Sequence, residues 1–470
     1  MAANNDGTAD NDQIQSGQPG GGWSTDGLAY LQKQVTRQRV FVLHPYLKSF
    51  IPDTLTRSPE ARLEEALGLA AAIDIELIGG ETASLRVVKP ATYLGTGKLK
   101  ELKSFAKSNE IDLIVFDCEL SPIQQRNLER ELKVKVIDRT ALILEIFGDR
   151  ANTKEGELQV ELAHLVYQRS RLVRSWTHLE RQRGGSGFLG GPGETQIEAD
   201  RRIIADRITR IKRQLSTVTR TRKLHRAQRQ KTPYPIVALV GYTNAGKSTL
   251  FNRLTDADVL AEDMLFATLD PTMRSISLPS GRKIIMSDTV GFISDLPTTL
   301  VAAFRATLEE VLEADLVVHV RDASHPDSDI QKRDVENVLT ELGVDLNYDL
   351  KADNEATPVL EAMNKCDLVS PEELVQLQTV GGRNNTTLPV SGLTGEGCES
   401  FITALDKALG SKDLNIEIIV PFDDGQTPAW LHANSKIHDT EYTDAGTRYS
   451  FSVDPIAWGK FSKGTRFEAG

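Results

Sequence analysis

PIVALVGYTNAGKSTLFNRL, residues 235–254, decides how this chain is read. An apolar run from Ile236 to Val240 stops at Gly241, and the loop Tyr242-Thr243-Asn244-Ala245-Gly246 delivers Lys247 and Ser248 to the start of a helix. The spacing is GxxxxGK[ST] in the strand, loop and helix context that the motif requires. In such a loop the backbone N–H groups and the helix N-terminus surround a β-phosphate. Lys247 neutralises β and γ oxygens, and the Ser248 hydroxyl ligates Mg²⁺. Gly241, Tyr242, Thr243, Asn244, Ala245, Gly246, Lys247, Ser248 and Thr249 are therefore the expected phosphate-binding residues. The bare pattern occurs by chance, but its context here makes the signal specific.

Downstream segments say which nucleotide. NKCD, Asn364-Lys365-Cys366-Asp367, follows the apolar TPVLEAM and so ends a buried strand. The Asp367 carboxylate can accept hydrogen bonds from guanine N1–H and the N2 amino group, a donor pair that adenine lacks. NKxD alone is weak; in order after a phosphate loop it points to GTP. IIMSDTVGFI ends a strand at Asp288, Thr289, Val290 and Gly291, where Asp288 can hold magnesium through water and the Gly291 amide can sense a γ-phosphate. FATLDPT spans Phe266, Ala267, Thr268, Leu269 and Asp270, and Thr268 is the hydroxyl expected on Mg²⁺ beside that of Ser248. PVSGLTGEG offers Ser391, Gly392 and Leu393, where a backbone N–H can meet guanine O6. Lys247, Thr268, Asp288 and Gly291 are the residues expected to carry hydrolysis.

The rest of the chain bounds what surrounds this site. A length of 470 residues implies about three domains. Hydrophobic content of 40% is enough for packed cores. No apolar run is long enough for a membrane span, no signal peptide opens the chain, and the three cysteines lack metal-ligand spacing. A reduced, cytoplasmic, monomeric protein is the expectation.

The net charge of −11 hides an asymmetry: residues 169–231 carry 17 Lys and Arg against 5 Asp and Glu. A charge run is often only a solvated helical face, yet a basic stripe in an acidic chain is also the footprint of polyphosphate binding. Leu158, Leu162, Leu165, Leu172, Trp176 and Leu179 recur at helical spacing, as do Ile197, Ile204, Ile208, Ile211, Leu215 and Val218. Two such stripes let paired helices bury a seam. The glycine-rich RGGSGFLGGPGETQ between them is preceded by a helix rather than a strand, so it reads as the tip of a helical hairpin and not as a second phosphate loop.

With these motifs in hand, the chain resembles the HflX family of GTPases. The residues that carry the likeness are ATYLGTGKLKEL, KVKVIDRTALILEIF, EGELQVELAHL, GGPGETQIEADRR, GYTNAGKSTLFNRLT, FATLDPTMR, DTVGFI and NKCD, and they extend from about residue 38 onward. The resemblance implies a GTPase that binds the large ribosomal subunit and its RNA and can split ribosomes under stress. It implies that the hairpin tip enters an RNA cavity, with Arg181, Arg183, Gly187, Gly193, Arg201 and Arg202 as RNA-binding residues. It also implies K⁺ as a candidate second cation, held by Asn244 near the leaving phosphate. The chain departs from the family pattern at Arg169-Ser170, where relatives often carry Leu-Pro, at Gly190, where a basic residue is usual, and at Gly392, where alanine is usual and a looser loop is expected. Where many GTPases place a glutamine after the DxxG glycine, this chain has Phe292, which can neither donate nor accept. Slow turnover without a partner follows.

The expected architecture is a disordered tail over 1–36, a small α/β domain over 37–148, a long helical hairpin over 149–230, an α/β nucleotide domain with a mostly parallel sheet and helices on both faces over 231–410, and a small α+β domain over 411–470. Two functions remain open at this point: a partner-stimulated GTPase that separates ribosomal subunits, and a GTP-gated attachment or assembly module in which hydrolysis is incidental.

Overall fold

The computed structural model describes residues 37–49, 57–172, 196–229, 234–257, 265–266, 271–295, 308–349, 356–384, 386–410, 413–453 and 455–462. The expected disordered tail, the glycine-rich tip and the segment with Thr268 lie outside these residues.

The amino-terminal part is a four-stranded parallel sheet in the order β2-β1-β3-β4, built from β1 (Arg39–Leu47), β2 (Glu76–Leu85), β3 (Leu113–Phe116) and β4 (Lys135–Asp138). Strands buried on both faces read as continuous apolar runs, and β1 and β3 do so through Val40, Val42, Leu43, Ile114 and Phe116. Its helices start where the sequence supplies caps. Ser58 accepts from the Ala61 N–H ahead of Pro59 to open α1 (Pro59–Ala71), and Ser121 and Gln124 form a capping box around Pro122 at α3 (Pro122–Leu132). Asp138 caps α4 (Arg139–Arg150) through the Ala141 N–H, and α2 (Thr96–Ser108) begins at the glycine turn of LGTGK.

Helices α5 (Lys154–Leu172) and α6 (Gln196–Arg229) pack along the expected seam. Leu158, Leu165, Ile208 and Ile211 are buried together, with Leu162, Ile204 and Leu215 at the margin. Arg207 on α6 is paired with Glu161 on α5 at 2.5 Å. The side chains of Trp176, Leu179 and Ile197 lie outside the described residues.

The second sheet has seven strands, with β11 (Thr387–Pro389), β10 (Thr357–Asn364), β8 (Leu316–Asp322), β5 (Ile236–Gly241), β7 (Lys283–Asp288) and β6 (Thr272–Ser277) in that order, and β9 (Leu346–Asn347) beside β10. Only the β6–β7 pairing is antiparallel. The carboxyl ends of β5, β7, β8 and β10 converge on one edge, where open α/β sheets place their ligands.

A three-stranded antiparallel sheet, β12 (Leu414–Val420), β14 (Gly446–Val453) and β13 (Ser435–Thr443), closes the chain, with helices Gln426–Asn434 and Pro455–Ser462 against it. The last of these was not read from sequence. Its Trp458 joins Leu431 and Phe451 in that module's core, and Phe461 stacks on the half-buried Trp430 at its margin, ring centres 3.9 Å apart.

One hydrophobic cluster runs without a break from α4 (Leu142, Ile146, Phe147) to the nucleotide sheet (Ala238, Val240) and the segment that follows β7 (Phe292, Ile293). The amino-terminal and nucleotide units are thus packed on each other, and this contact matters for the site. Among the described residues no helix is long and apolar enough to cross a membrane.

Candidate nucleotide site

Strand β5 feeds the phosphate loop, and α7 (Lys247–Thr255) leaves it. Two glycines are required by space. A Cβ on Gly241 would sit 2.1 Å from the Val320 carbonyl oxygen, and one on Gly246, at φ +84°, would sit 2.2 Å from Asn364 Nδ2. Asn244 occupies the left-handed region at φ +61°, which asparagine tolerates better than most residues, and it is exposed at the loop's crest. The loop is laced to the following switch: Thr243 N–H donates to the Phe292 carbonyl at 2.7 Å and Phe292 N–H to the Gly241 carbonyl at 3.1 Å.

Lys247 is buried and its Nζ donates to the Tyr242 carbonyl at 2.8 Å. Gly291 faces it, because a Cβ there would lie 3.0 Å from Lys247 Nζ and 2.7 Å from Thr243 Cγ2. The glycine therefore leaves room at the point where a γ-phosphate would meet both groups. Ser248 Oγ donates to Asp288 Oδ2 at 2.6 Å, so the end of β7 and the first turn of α7 present a hydroxyl and a carboxylate side by side. Hard oxygen donors of this kind suit Mg²⁺, which keeps several waters and takes few protein ligands. The residues fit the ion, with Ser248 as direct ligand and Asp288 behind it, and Mg²⁺ there would neutralise phosphate charge. Thr289 Oγ1 donates to the Leu239 carbonyl at 2.6 Å, which ties β7 to β5, and Val290 is buried behind it.

The two segments expected at the base meet at Asn364. Its Nδ2 donates to the Ala245 carbonyl at 2.8 Å and its Oδ1 accepts the Gly392 N–H at 2.9 Å, so one side chain joins the phosphate loop to the SGL loop. Lys365, at φ +61°, sends its Nζ to Asp322 at 2.8 Å. Cys366 is buried while Asp367 is exposed beyond it. Ser391 is buried and its Oγ accepts the Thr394 N–H at 3.0 Å, and Leu393 projects into solvent. Thr249 lies partly buried on the first turn of α7.

The structure differs from the sequence reading at three residues. The Gly392 loop is pressed tight rather than loosened: a Cβ would be 2.9 Å from the Leu250 N of α7. The side chains of Tyr242 and Phe266, expected at the nucleotide, turn away from it to the amino-terminal unit. Phe266 is buried edge-on against Phe147, ring centres 4.7 Å apart, and the Tyr242 hydroxyl bonds to Glu65. Ala267, Thr268, Leu269 and Asp270 fall outside the described residues, as do Arg181, Arg183, Gly187 and Gly193. Arg201 and Arg202 are exposed on α6. Two contributors were missed: Arg253 on α7 bonds to the carbonyls of Gly392 and Leu393, and Asp322 holds Lys365. The position of Arg253, six residues after Lys247, gave no signal by itself.

Burial pushes the Lys247 ammonium down to about 8, opposed by the nearby Asp288 carboxylate. Below that pH the free protein already carries the charge that phosphate needs; above it, binding has to take up a proton. GTP affinity should therefore fall, approaching about tenfold per pH unit above about 8. Calorimetric titrations in buffers of different ionisation heat would register the proton uptake. A flat affinity with no uptake would mean that Lys247 stays charged throughout.

A strand-fed phosphate loop, a serine and aspartate arranged for magnesium, and an NKxD aspartate beside a second loop define a P-loop GTPase domain. Comparison with known proteins agrees. Residues 60–148 match the GTP-binding GTPase N-terminal family, 150–229 the GTP-binding GTPase middle region, and 236–365 the 50S ribosome-binding GTPase family. The GTPase HflX of Magnetococcus marinus is 48% identical over 414 residues, covering 88% of this chain and 93% of that protein. That of Escherichia coli is 43% identical over 365 residues, covering 77% and 83%. Among solved structures, a GTP-binding protein from Sulfolobus solfataricus in complex with GDP aligns with a TM-score of 0.41 at 23% identity, over 78% of this chain and 98% of that one. The chain belongs to the HflX GTPase family and hydrolyses GTP to GDP and phosphate.

Proposed function

We propose that this GTPase docks on the large ribosomal subunit through its amino-terminal sheet and the α5–α6 hairpin, and that GTP-dependent docking separates ribosomal subunits. The observation that carries the reading is the division of α6 into two sides. Ile204, Ile208, Ile211 and Leu215 are taken up by the seam with α5, while Arg201, Arg202, Arg210, Lys212 and Arg213 are exposed. A stiff helix with a basic outer side suits a phosphate backbone. The description of the matched family, a 50S ribosome-binding GTPase, points the same way. The glycine-rich segment between α5 and α6, with Arg181, Arg183, Gly187 and Gly193, is the part assigned to the RNA cavity. Mg²⁺ accompanies the nucleotide at Ser248 and Thr268, and K⁺ is assigned to Asn244.

Phe292 supports dependence on a partner. Its ring can neither donate nor accept a hydrogen bond and is buried in the core, with its backbone paired to Gly241, so this position supplies no side-chain group to orient a water. Turnover should be slow for the chain alone and rise when ribosomal contacts supply a group that orients the attacking water. Hydrolysis measured with and without large subunits, followed by sedimentation of intact ribosomes with a non-hydrolysable GTP analogue, tests this. Stimulation together with dissociated subunits is the expected result. Binding without either would favour the GTP-gated attachment module.

The hairpin has its own test. Replacing Arg201 and Arg202 together with glutamate should weaken subunit binding and reduce the slope of log affinity against log salt by about one per lost phosphate contact. Should the slope stay unchanged, the RNA face is elsewhere.

A further inference from the structure

The nucleotide site leaves unused an ion cluster where the second switch meets the amino-terminal unit. Glu65, on α1, is buried, and its carboxylate accepts hydrogen bonds from Arg57, Arg139 and the Tyr242 hydroxyl, and from Ser294 Oγ at 2.9 Å. The same Tyr242 oxygen accepts the Ser294 backbone N–H at 2.7 Å and Arg57 Nη1 at 3.1 Å. Arg139 also donates to the Ser294 carbonyl at 3.0 Å and is held from behind by Asp117 at 2.6 Å, and Arg57 reaches Asp327 at 3.0 Å. Ser294 thus has its N–H, its carbonyl and its hydroxyl all engaged. Tyr242 uses its one donor and both acceptor positions.

Ser294 stands three residues after Gly291. Phe292 and Ile293, between them, are each 1% exposed, so the segment has no slack. Its start faces Lys247 Nζ and its end is fixed by Glu65 and Tyr242. Displacing Ser294 would take one hydrogen-bond partner each from the Glu65 carboxylate, the Arg139 guanidinium and the Tyr242 hydroxyl, all of them buried, and hydrogen bonds lost by buried polar groups are costly. Such an element shifts between discrete arrangements rather than yielding gradually.

We propose that Glu65, acting through the Tyr242 hydroxyl on Ser294, is a positioning residue for GTP hydrolysis that holds the Gly291 amide in place opposite Lys247. The amino-terminal unit then forms part of the hydrolytic apparatus without touching nucleotide. This inference does not depend on the ribosomal reading, because it concerns turnover by the chain alone.

The test uses the full chain with Tyr242→Phe, which deletes one oxygen, and with Glu65→Gln. Tyr242→Phe should lower kcat about tenfold while KM for GTP stays within about twofold, as expected when an interaction acts on the transition state rather than on ground-state binding. Amide exchange over Phe292 to Asp295 should quicken, with β5 and α7 as protected as before. The double variant should turn over no more slowly than the worse single one, since both act through one chain of bonds. An unchanged kcat would overturn the proposal, and so would a fall in kcat accompanied by faster exchange throughout β5 and α7, the sign of general loosening. Should Glu65→Gln not fold, Tyr242→Phe decides alone.

Discussion

Lys247→Ala should cost at least a hundredfold in GTP affinity while leaving the hairpin folded. The ammonium is buried at the mouth of α7, its Nζ now satisfied by the Tyr242 carbonyl, and it is the cation of the phosphate loop itself. Hydrogen bonds to charged groups are worth about 1.5–3 kcal/mol each, and a lysine that bridges β and γ oxygens makes more than one. The nucleotide-free protein, by contrast, gains little from the charge. Burial disfavours it, lowering the ammonium's pKa, so removing the charge should change the unfolding temperature of the ligand-free protein little. What the alanine variant should lose is the upward shift of that temperature with added GTP, which scales with the logarithm of ligand over Kd. The α5–α6 seam is a separate cluster, so helical circular dichroism should not change. Unchanged GTP affinity by calorimetry would remove Lys247 from its assigned role.

The contrast between what could and could not be read in advance follows from the range of the interactions. The phosphate loop was legible because strand, glycines, lysine and helix are consecutive and each is required by local geometry. The hairpin seam was legible because Leu158, Leu165, Ile208 and Ile211 repeat at helical spacing. The direction of the Tyr242 side chain was not, since its partner Glu65 is 177 residues away and sits in a helix whose pattern, PEARLEEALGLAA, gives every glutamate the look of a solvated face. Phe266 misled for the same reason: its neighbours mark a switch loop, but its ring is captured by Phe147 from another unit. Gly392 shows the converse case. Loss of a methyl group suggested a looser loop, whereas the missing Cβ lets the loop backbone close on α7, a contact that spacing alone does not reveal. Motifs name the ligand's partners through the backbone; tertiary contacts decide where side chains go.

The same distinction shapes the second large effect, expected for Asp367→Asn. Asp367 is exposed, while the strand end that carries it is fixed: Cys366 N–H donates to the Val390 carbonyl at 3.2 Å, and Asn364 ties that strand to Ala245 and Gly392. Its carboxylate is suited to guanine because guanine presents two donors, N1–H and the N2 amino group, to an acceptor-only group. An asparagine of the same shape turns a donor toward that amino group, so one bond is lost and a donor faces a donor. Sites that match substrate hydrogen bonds reject a mismatched analogue strongly, and GTP affinity should drop by about two to three orders of magnitude. Xanthine carries a carbonyl where guanine has the amino group, so the asparagine amide can donate to it while its oxygen accepts N1–H. The variant should therefore hydrolyse XTP in preference to GTP, with a kcat near that of the parent on GTP, because Lys247, Ser248 and Asp288 are untouched. Competition between the two nucleotides measures this directly. Retained preference for GTP would place base recognition elsewhere, and loss of both activities would mean that the Asp367 carboxylate supports the loop rather than reading the base.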